Sequence, residues 1–563
     1  MRSPLIPMTP TEGAAGRLRR TLALGLTALL LGVAALLGNP LAAHAAPTAH
    51  AAPAAHAAPA AAASVGVYPV ASIYPASTDY TLTVNGKSVP VTKYTGYDIA
   101  QFSLGTGSAT MAVTKINNTA IGSYSISPQK LGIVGSVSGP TLTFTVQQDA
   151  YLIVKVDGRP NLVIADDPAE SGAPASSGTG IFNVQSAPYS AQPNTGAYTT
   201  TPFQNALNDA AAYGSANNTQ GIVYVPQGVY TLGNLYLRSN LAFYLAPGAV
   251  LRYTGDAAHY VVNGHKTSQG RDLTWFISTR YSSTNIKIYG RGIIDGNGQA
   301  ALAPSNLGVN LLAPIYTDGF TVDGITFREA SSWAIIPLRS SNMTFRNIKI
   351  FNRFDMGEDD GIDVMDSSNV TVDHAIGIGL DDPFSTKTWA QGTDIINTVP
   401  GTARPLSNVT FSDLLSWTDC YGIKVGQGVV SSQDGVTFQH VVVYDAAVGI
   451  GIDHKYGTAS ATNITFDDID IERLTNTNAG NRTWLVLMTE DGGVGPVTGV
   501  TVSNVKVRDG GTTASRINGQ PGALISGVTL SHIVMPGSTT PATTLAQMNV
   551  TNVSDNGPVT ITS

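Results

Sequence analysis

Cysteine is almost absent: Cys420 is the only one in 563 residues, so no internal disulfide can staple the fold. Stability must come from burial and hydrogen bonds, which a chain of this length can supply. A lone thiol with no base partner near it in sequence also argues against thiol chemistry. Charge is scarce as well. Asp, Glu, Lys and Arg make up 12% of the chain, against roughly 25% in an average globular protein, which excludes a helical, salt-bridge-laced architecture. What is abundant, 59 glycines and 43% hydrophobic residues, fits a β-rich chain with many tight turns. The formal charge is −7, and about −10 once the first 45 residues with Arg2, Arg17, Arg19, Arg20 and Glu12 are set aside. An acidic surface repels polyanions, so no nucleic-acid partner is expected and uncharged ligands are favoured.

Residues 1–45 read as a signal peptide. Arg17, Arg19 and Arg20 precede an apolar run from Thr21 to about Gly38, and Ala43-His44-Ala45 is a small-x-small cleavage site. The mature protein is expected outside the cell, with no membrane segment. Residues 46–63 form an Ala/Pro/His tether that lacks the apolar variety to build a core.

Residues 64–170 carry short alternating segments, Tyr80–Val84, Val89-Pro90-Val91, Thr110–Val113, Thr141–Val146 and Ala150–Val156, with the turn dipeptide Asn85-Gly86 after the first. That spacing predicts a small β-sandwich. Its strands show no paired carboxylates or histidine cluster, so support or sugar contact at the rim is the expected role. A Ser/Gly/Pro/Ala stretch, 171–180, separates it from residues 181–563. There Thr201-Pro202 opens a helical pattern (Phe203, Ala206, Leu207, Ala210, Ala211), with Thr201 as N-cap.

The rest of the chain repeats one phrase: Asn or Gly, apolar, Thr or Lys, apolar. It occurs at Asn285, Asn342, Asn369, Asn408, Gly435, Asn463, Gly499 and Gly527, several copies being 27 or 28 residues apart. A period of two inside each segment, repeated at a coil-length spacing, is what a right-handed parallel β-helix requires, because each coil buries its apolar face only by stacking on the next. Asn at one point of many coils suits a left-handed bend and a side-chain ladder. The helix at 201–212 would cap the open end of the core.

Within this repeat, Asp360-Gly361-Ile362-Asp363-Val364 aligns with Asp382-Pro383-Phe384-Ser385-Thr386, then with Tyr421–Val425 and Val448–Ile452. Ile362, Phe384, Ile423 and Ile450 would point inward, and Asp363, Ser385, Lys424 and Gly451 outward. Asp360 and Asp382 then occupy equivalent places on adjacent coils, roughly 4.8 Å apart, with Asp381 beside them. Carboxylates so close cannot all ionise freely, which supplies an acid next to a base, the equipment of glycoside hydrolysis. A solvated loop at Glu358–Asp360, or a calcium site from the same oxygens, is the competing reading.

These residues resemble glycoside hydrolase family 28, the polygalacturonase and rhamnogalacturonase group, over about residues 200–540. The family's Asn-Thr-Asp-Gly motif becomes Glu358-Asp359-Asp360-Gly361. Its Gly-Asp-Asp motif becomes Leu380-Asp381-Asp382, at the family's spacing, and Gly292–Gly298 and Tyr224–Tyr230 match its upstream turns. The resemblance implies a right-handed parallel β-helix, a polysaccharide substrate, no cofactor and inverting hydrolysis. Asp381 would be the general acid, with Asp360 and Asp382 activating water, although either member of the 381/382 pair could be the acid. Lys387 matches a lysine that commonly follows the Asp pair. The family's Gly-His-Gly becomes Cys420-Tyr421-Gly422, and its Arg-Ile-Lys, which grips a uronate carboxylate, becomes Gly451-Ile452-Asp453. Lys387, Tyr421, Lys424, His454 and Lys455 are therefore the candidates for holding substrate, and pectin-like and neutral glycans both stay open. Dextranase and α-1,3-glucanase families are similar too, dextranases also carrying an N-terminal sandwich. Trp333, Trp389, Trp417, Tyr421 and Tyr456 are aromatics placed to stack on sugars. A polysaccharide lyase using Lys387 or Lys424 as base, and a non-catalytic glycan-binding β-helix, are the readings from other classes.

Overall fold

The computed structural model describes residues 61–392, 394–475, 481–492 and 494–563. The expected signal peptide and nearly all of the tether lie outside the described residues.

Residues 65–168 form two facing sheets. In one, Tyr80–Val84 pairs with Lys87–Val89 and with Ala109–Lys115, followed by Thr141–Val146 and Ser136–Ser138, all antiparallel. Asn85 and Gly86 both take positive φ (48° and 75°), the two-residue hairpin turn that their sequence predicts. The expected strand across Val89–Val91 is broken. Pro90 has no N–H to give a ladder, and Lys87–Val89 stays in this sheet while Val91–Lys93 joins the other. The second sheet also contains a strand not read from the sequence, Asn161–Pro168, which runs parallel to Tyr97–Leu104. It brings an acidic pair, Asp166-Asp167, into the sandwich.

From Ile181 the chain winds into a parallel β-helix. One continuous 17-stranded sheet runs from Ile181–Asn183 to Val559–Thr562. A second face begins with a four-stranded sheet at Leu235–Leu237, Gly264–Lys266, Arg271–Thr279 and Leu307–Ala313. It passes through single bridges at Ile335 and Leu338 into a seven-stranded sheet from Ile362–Met365 to Val550–Ser554. The α-helix Thr200–Asn217 starts before the expected Thr201 cap and runs five residues past the expected end at 212, with its C-cap Asn218 in the left-handed region. Its buried side chains are the predicted ones, and they close the core against Gly221–Val225. Gly221 permits this contact, since a Cβ there would stand 2.0 Å from the Ala210 carbonyl oxygen.

The repeated phrase has the expected geometry. Asn285, Asn342, Asn369, Asn408 and Asn463 take φ of 53–56°, and Gly435, Gly499 and Gly527 take φ of 62–71° at the same point of their coils. The asparagine amides climb the stack: Asn408 donates to Asn369 (2.9 Å) and Asn369 to Asn342 (3.1 Å). A second left-handed residue follows five positions on, at Asn347, His374, Asp413, His440, Asp468, Asn504 and His532. Its residue type varies too much to show in the sequence. Between the two bends the apolar side chains stack in register, with Phe411, Phe438 and Phe466 nearly parallel at 4.6 and 5.5 Å.

The sandwich packs on the outer face of the long sheet. Tyr97, Tyr151, Ile153 and Val163 meet Phe351, Ile378, Leu415 and Tyr444, and the buried ammonium of Lys349 is held by both oxygens of Asp167 at 2.6 and 2.7 Å. Replacing the middle ring of the phenylalanine stack, Phe438→Ala, should cost about 3–5 kcal/mol of unfolding free energy. Denaturant titration reads this directly, and a loss under 1 kcal/mol would mean that the stack does not hold the coils together.

Candidate active site

Ile362–Met365, Phe384–Thr388 and Tyr421–Val429 lie side by side in parallel register, Ile362 opposite Phe384 and Ser385 opposite Lys424. Ile362, Phe384, Ile423 and Ile450 enter the core as expected. The Gly361 N–H donates to the Asp382 carbonyl at 2.9 Å, which sets Asp360 and Asp382 at equivalent points on successive coils. Only glycine fits between them, because a Cβ on Gly361 would stand 2.3 Å from the Pro383 carbonyl oxygen.

The carboxylates converge. Oxygens of Glu358, Asp360 and Asp381 lie within 4.8 Å of one another, and Asp381, Asp382 and the Cys420 sulfur form a second such group. Asp360 and Asp382 are buried while Asp381 is partly exposed, so Asp381 is the member that an incoming molecule meets.

Two lysines from the outward rows neutralise the buried pair. Lys387 Nζ donates to Asp360 (2.7 Å) and Asp363 (2.6 Å), and Lys424 Nζ donates to Asp382 (2.9 Å). Their effect separates the acids. Burial, followed by the charge of Asp382, pushes Asp381 up to about 6. Burial would raise Asp382 too, but the ammoniums of Lys424 and Lys387 outweigh it and hold this carboxyl below the usual range. Burial and Asp363 raise Asp360 despite Lys387. Below about pH 6 one face thus holds a carboxylic acid beside a carboxylate.

Sequence reasoning undervalued three neighbours. Asp359, not a solvated residue, is buried, and its Oδ1 accepts from the backbone N–H groups of Leu380 and Asp381, both at 3.0 Å. Asn352 donates to the Asp359 carbonyl (2.6 Å), and the sandwich residue Tyr97 donates to the Asn352 carbonyl (2.8 Å). A line of hydrogen bonds therefore runs from the sandwich to the backbone of Asp381. Glu358 pairs with Lys266 at 2.7 Å, and Lys266 comes from a hairpin far upstream that no local pattern connects to the site. Asp363, expected to face outward, does so but is covered by Lys387 and Ser385. The acidic run Glu358-Asp359-Asp360 was the available signal for the first two.

The other candidates divide. Lys387, Tyr421 and Lys424 belong to the cluster. His454 does not: its ring is buried and its Nε2 meets the Ala459 carbonyl at 2.8 Å. Lys455 pairs with Glu490 (3.1 Å) and Asp491 (3.7 Å). Trp333 lies nearly buried beneath Lys387 and Lys266, whose ammoniums sit 4.0 and 4.6 Å from its ring centre. Trp389 packs edge-on against the exposed Tyr456. Trp417 faces the sandwich, against Tyr97, Phe354 and Tyr444, and not the acids. Burial raises the Cys420 thiol well above its usual range, and it donates to Asp382, so it supports the carboxylate without thiolate chemistry.

The model of glycosyl hydrolases family 28 matches residues 217–529, more than half of the chain and all of these carboxylates. The chain belongs to glycosyl hydrolase family 28. It is accordingly a glycoside hydrolase. An endo-polygalacturonase of Pectobacterium carotovorum subsp. carotovorum is 24% identical over 351 residues, covering 56% of this chain and 85% of that protein. An exopolygalacturonase of Cochliobolus carbonum is 23% identical over 322 residues, covering 49% and 72%. Two solved structures share the fold. The exopolygalacturonase of Thermotoga maritima has a TM-score of 0.53 at 17% identity, covering 68% of this chain and 91% of that one. Dex49A from Penicillium minioluteum has a TM-score of 0.51 at 14% identity and covers 87% and 94%. The second match is too long to stop at the β-helix, so the likeness of fold extends into the sandwich.

The raised acid gives a stability test. A carboxyl with a folded pKa near 6 and an ordinary value of 3.8 stabilises below pH 3.8 and loses that contribution as pH rises through 6. The loss approaches about 3 kcal/mol by pH 7. Asp381→Asn should therefore match or exceed the parent in Tm at pH 7 and lose that advantage at pH 4. A Tm lower than the parent at pH 7 would show that Asp381 is ionised at little cost.

Proposed function

We propose that this protein hydrolyses internal or terminal glycosidic bonds of a pectin-like polysaccharide, outside the cell and with inversion. The observation that carries the reading is the convergence of Asp360, Asp381 and Asp382 on one face, with Lys424 bonded to Asp382 while, among the described residues, Asp381 Oδ1 accepts only from the backbone N–H of Asp382. In this mechanism Asp381, the partly exposed member, protonates the leaving glycosidic oxygen. Asp382 is ionised and accepts a proton from water, with Asp360 sharing the water's orientation. Lys387 and Lys424 keep the two buried carboxyls in place, and Lys424 also favours the ionised form of Asp382. Asp359 acts on the geometry alone, since its oxygen holds the backbone of Asp381 and not a reacting atom.

The substrate follows the relatives, which are polygalacturonases by name. Inversion follows the family resemblance and not the spacing, because the nearest Asp360 and Asp381 oxygens lie within 4.8 Å, closer than the roughly 6.5–9.5 Å usual for inverting carboxyl pairs. Export is supported by the basic, apolar and small-residue order of residues 17–45. Among the described residues no helix is long and apolar enough to cross a membrane. A lyase would need an uncharged basic group beside the acids. Carboxylates raise both Lys387 and Lys424 against the effect of burial, so neither supplies one.

Purified protein should release reducing ends from pectic polysaccharide, and proton NMR of the first product should show the anomer opposite to that of the bond cleaved. Asp381→Asn should lower kcat by about 1,000-fold with the fold intact. Unsaturated products, or undiminished activity in that variant, would overturn the assignment. The rate should fall as pH rises through about 6, where Asp381 loses its proton. It should also fall in strong acid, where Asp382 gains one. A profile flat from pH 4 to 8 contradicts the acid–base pair.

A further inference from the structure

Just beyond the acids, toward the C-terminal end of the stack, the outward row reads Asp363, Ser385, Lys424, Gly451, Val486 on successive coils. At Gly451 the row carries no side chain, and the ring of Tyr421 occupies the space. A Cβ there would stand 2.2 Å from Tyr421 Cδ1 and 2.4 Å from Cε1. The ring packs with Val448, Val486 and Met488, and the Lys424 ammonium lies 4.6 Å from its centre. The backbone N–H of Tyr421 points to Asp382 Oδ1 at 3.3 Å, which ties this aromatic floor to the acid pair. Tyr421 is only partly buried, so some of its surface reaches solvent.

Among the described residues, three ammoniums of this part of the stack are committed. Lys424 serves Asp382, Lys387 serves Asp360 and Asp363, and Lys455 serves Glu490. The next cation on the row is Arg516, opposite Val486 on the following coil, roughly 10 Å along the stack from Gly451. Asp453 adds a further acidic group that interacts with both Tyr421 and Lys424. Its Oδ2 accepts from Gln427 at 2.9 Å, while Oδ1 is buried without a partner. A sugar carboxylate resting on Tyr421 would face Asp382 and Asp453, and the three ammoniums just named already hold carboxylates of the protein.

We propose that the subsite at Tyr421 takes an uncharged sugar ring, its apolar face on the tyrosine and a hydroxyl donating to Asp453. The chain cleaved is then either wholly neutral or a pectic chain in which neutral sugars interrupt the uronates. This rests on the hydrolase reading above, which makes Asp381 and Asp382 the reacting centre.

Calorimetry on full-length Asp381→Asn separates the cases, using oligogalacturonides, oligosaccharides that alternate uronate and neutral sugar, and isomalto-oligosaccharides of equal length. At least one neutral-containing series should bind about tenfold tighter than the oligogalacturonides, and adding Tyr421→Ala should remove that preference. Which series binds tells a mixed chain from a neutral one. Asp453→Asn, which keeps the side-chain shape, should improve oligogalacturonide binding if Tyr421→Ala fails to fold. Equal or tighter binding of oligogalacturonides, a preference indifferent to both substitutions, or no binding at all overturns the proposal. Reducing-end assays of the parent on the same panel test the other reading. Selective binding without cleavage removes hydrolysis and leaves the subsite standing. Cleavage with a preference for the all-uronate chain does the reverse.

Discussion

Parallel coils stack at a spacing of about 4.8 Å, and side chains at equivalent points of neighbouring coils have no freedom to move further apart. That constraint turns an aspartate at the same point of two coils into a pair of like charges in a buried place, where mutual repulsion and desolvation act together. The chain tolerates it because the same stacking places Lys387 and Lys424 on outward rows beside those acids. Removing either lysine would leave a buried carboxylate without its counter-charge, so the lysines are as much a part of the site as the acids.

The neutralisation is uneven, and the proposed mechanism depends on that unevenness. Asp360 and Asp382 each have an ammonium, whereas among the described residues Asp381 pairs with no cation and its Oδ1 accepts from the backbone N–H of Asp382. Burial and the adjacent charge of Asp382 therefore raise Asp381, the partly exposed member of the three. Its position is controlled from the other side through Asp359, Asn352 and Tyr97, which makes the sandwich a buttress for the site and not an appendage. The tight closure at Lys349 and Asp167 fits that role, since a mobile appendage would gain nothing from a fully buried ion pair at its base.

The β-helix was legible because it repeats. A phrase recurring at coil length sets the register, and register alone brings Asp360 beside Asp382 and sends Ile362, Phe384 and Ile423 inward. What stayed hidden depends on contacts that no repeat encodes. Trp417 obeys the alternation of its strand, but the sequence does not say that the sandwich covers that face. Lys266 reaches the site from an inserted hairpin, and its partner Glu358 sits on a left-handed bend outside the repeat. His454 and Lys455 follow the strand past the acids, where one turns into its own loop and the other into a surface ion pair. The broken strand at Pro90 needed only the missing N–H to be taken seriously.

The two departures from the family pattern near the acids are one packing event. Tyrosine at 421 needs the volume above position 451, and glycine at 451 leaves it free; an arginine there would collide with the ring. Neither change is therefore an independent loss. Restoring one without the other would overfill the row or leave a void over Val486. Asp453 completes the exchange, because an aromatic floor flanked by a carboxylate offers stacking and hydroxyl acceptance where a pair of cations would offer charge. Asp360, Asp381 and Asp382 are kept while the surface beside them is rebuilt around Tyr421, Gly451 and Asp453. A single fold accommodates this readily, because the acids and that surface lie on successive coils of the same stack.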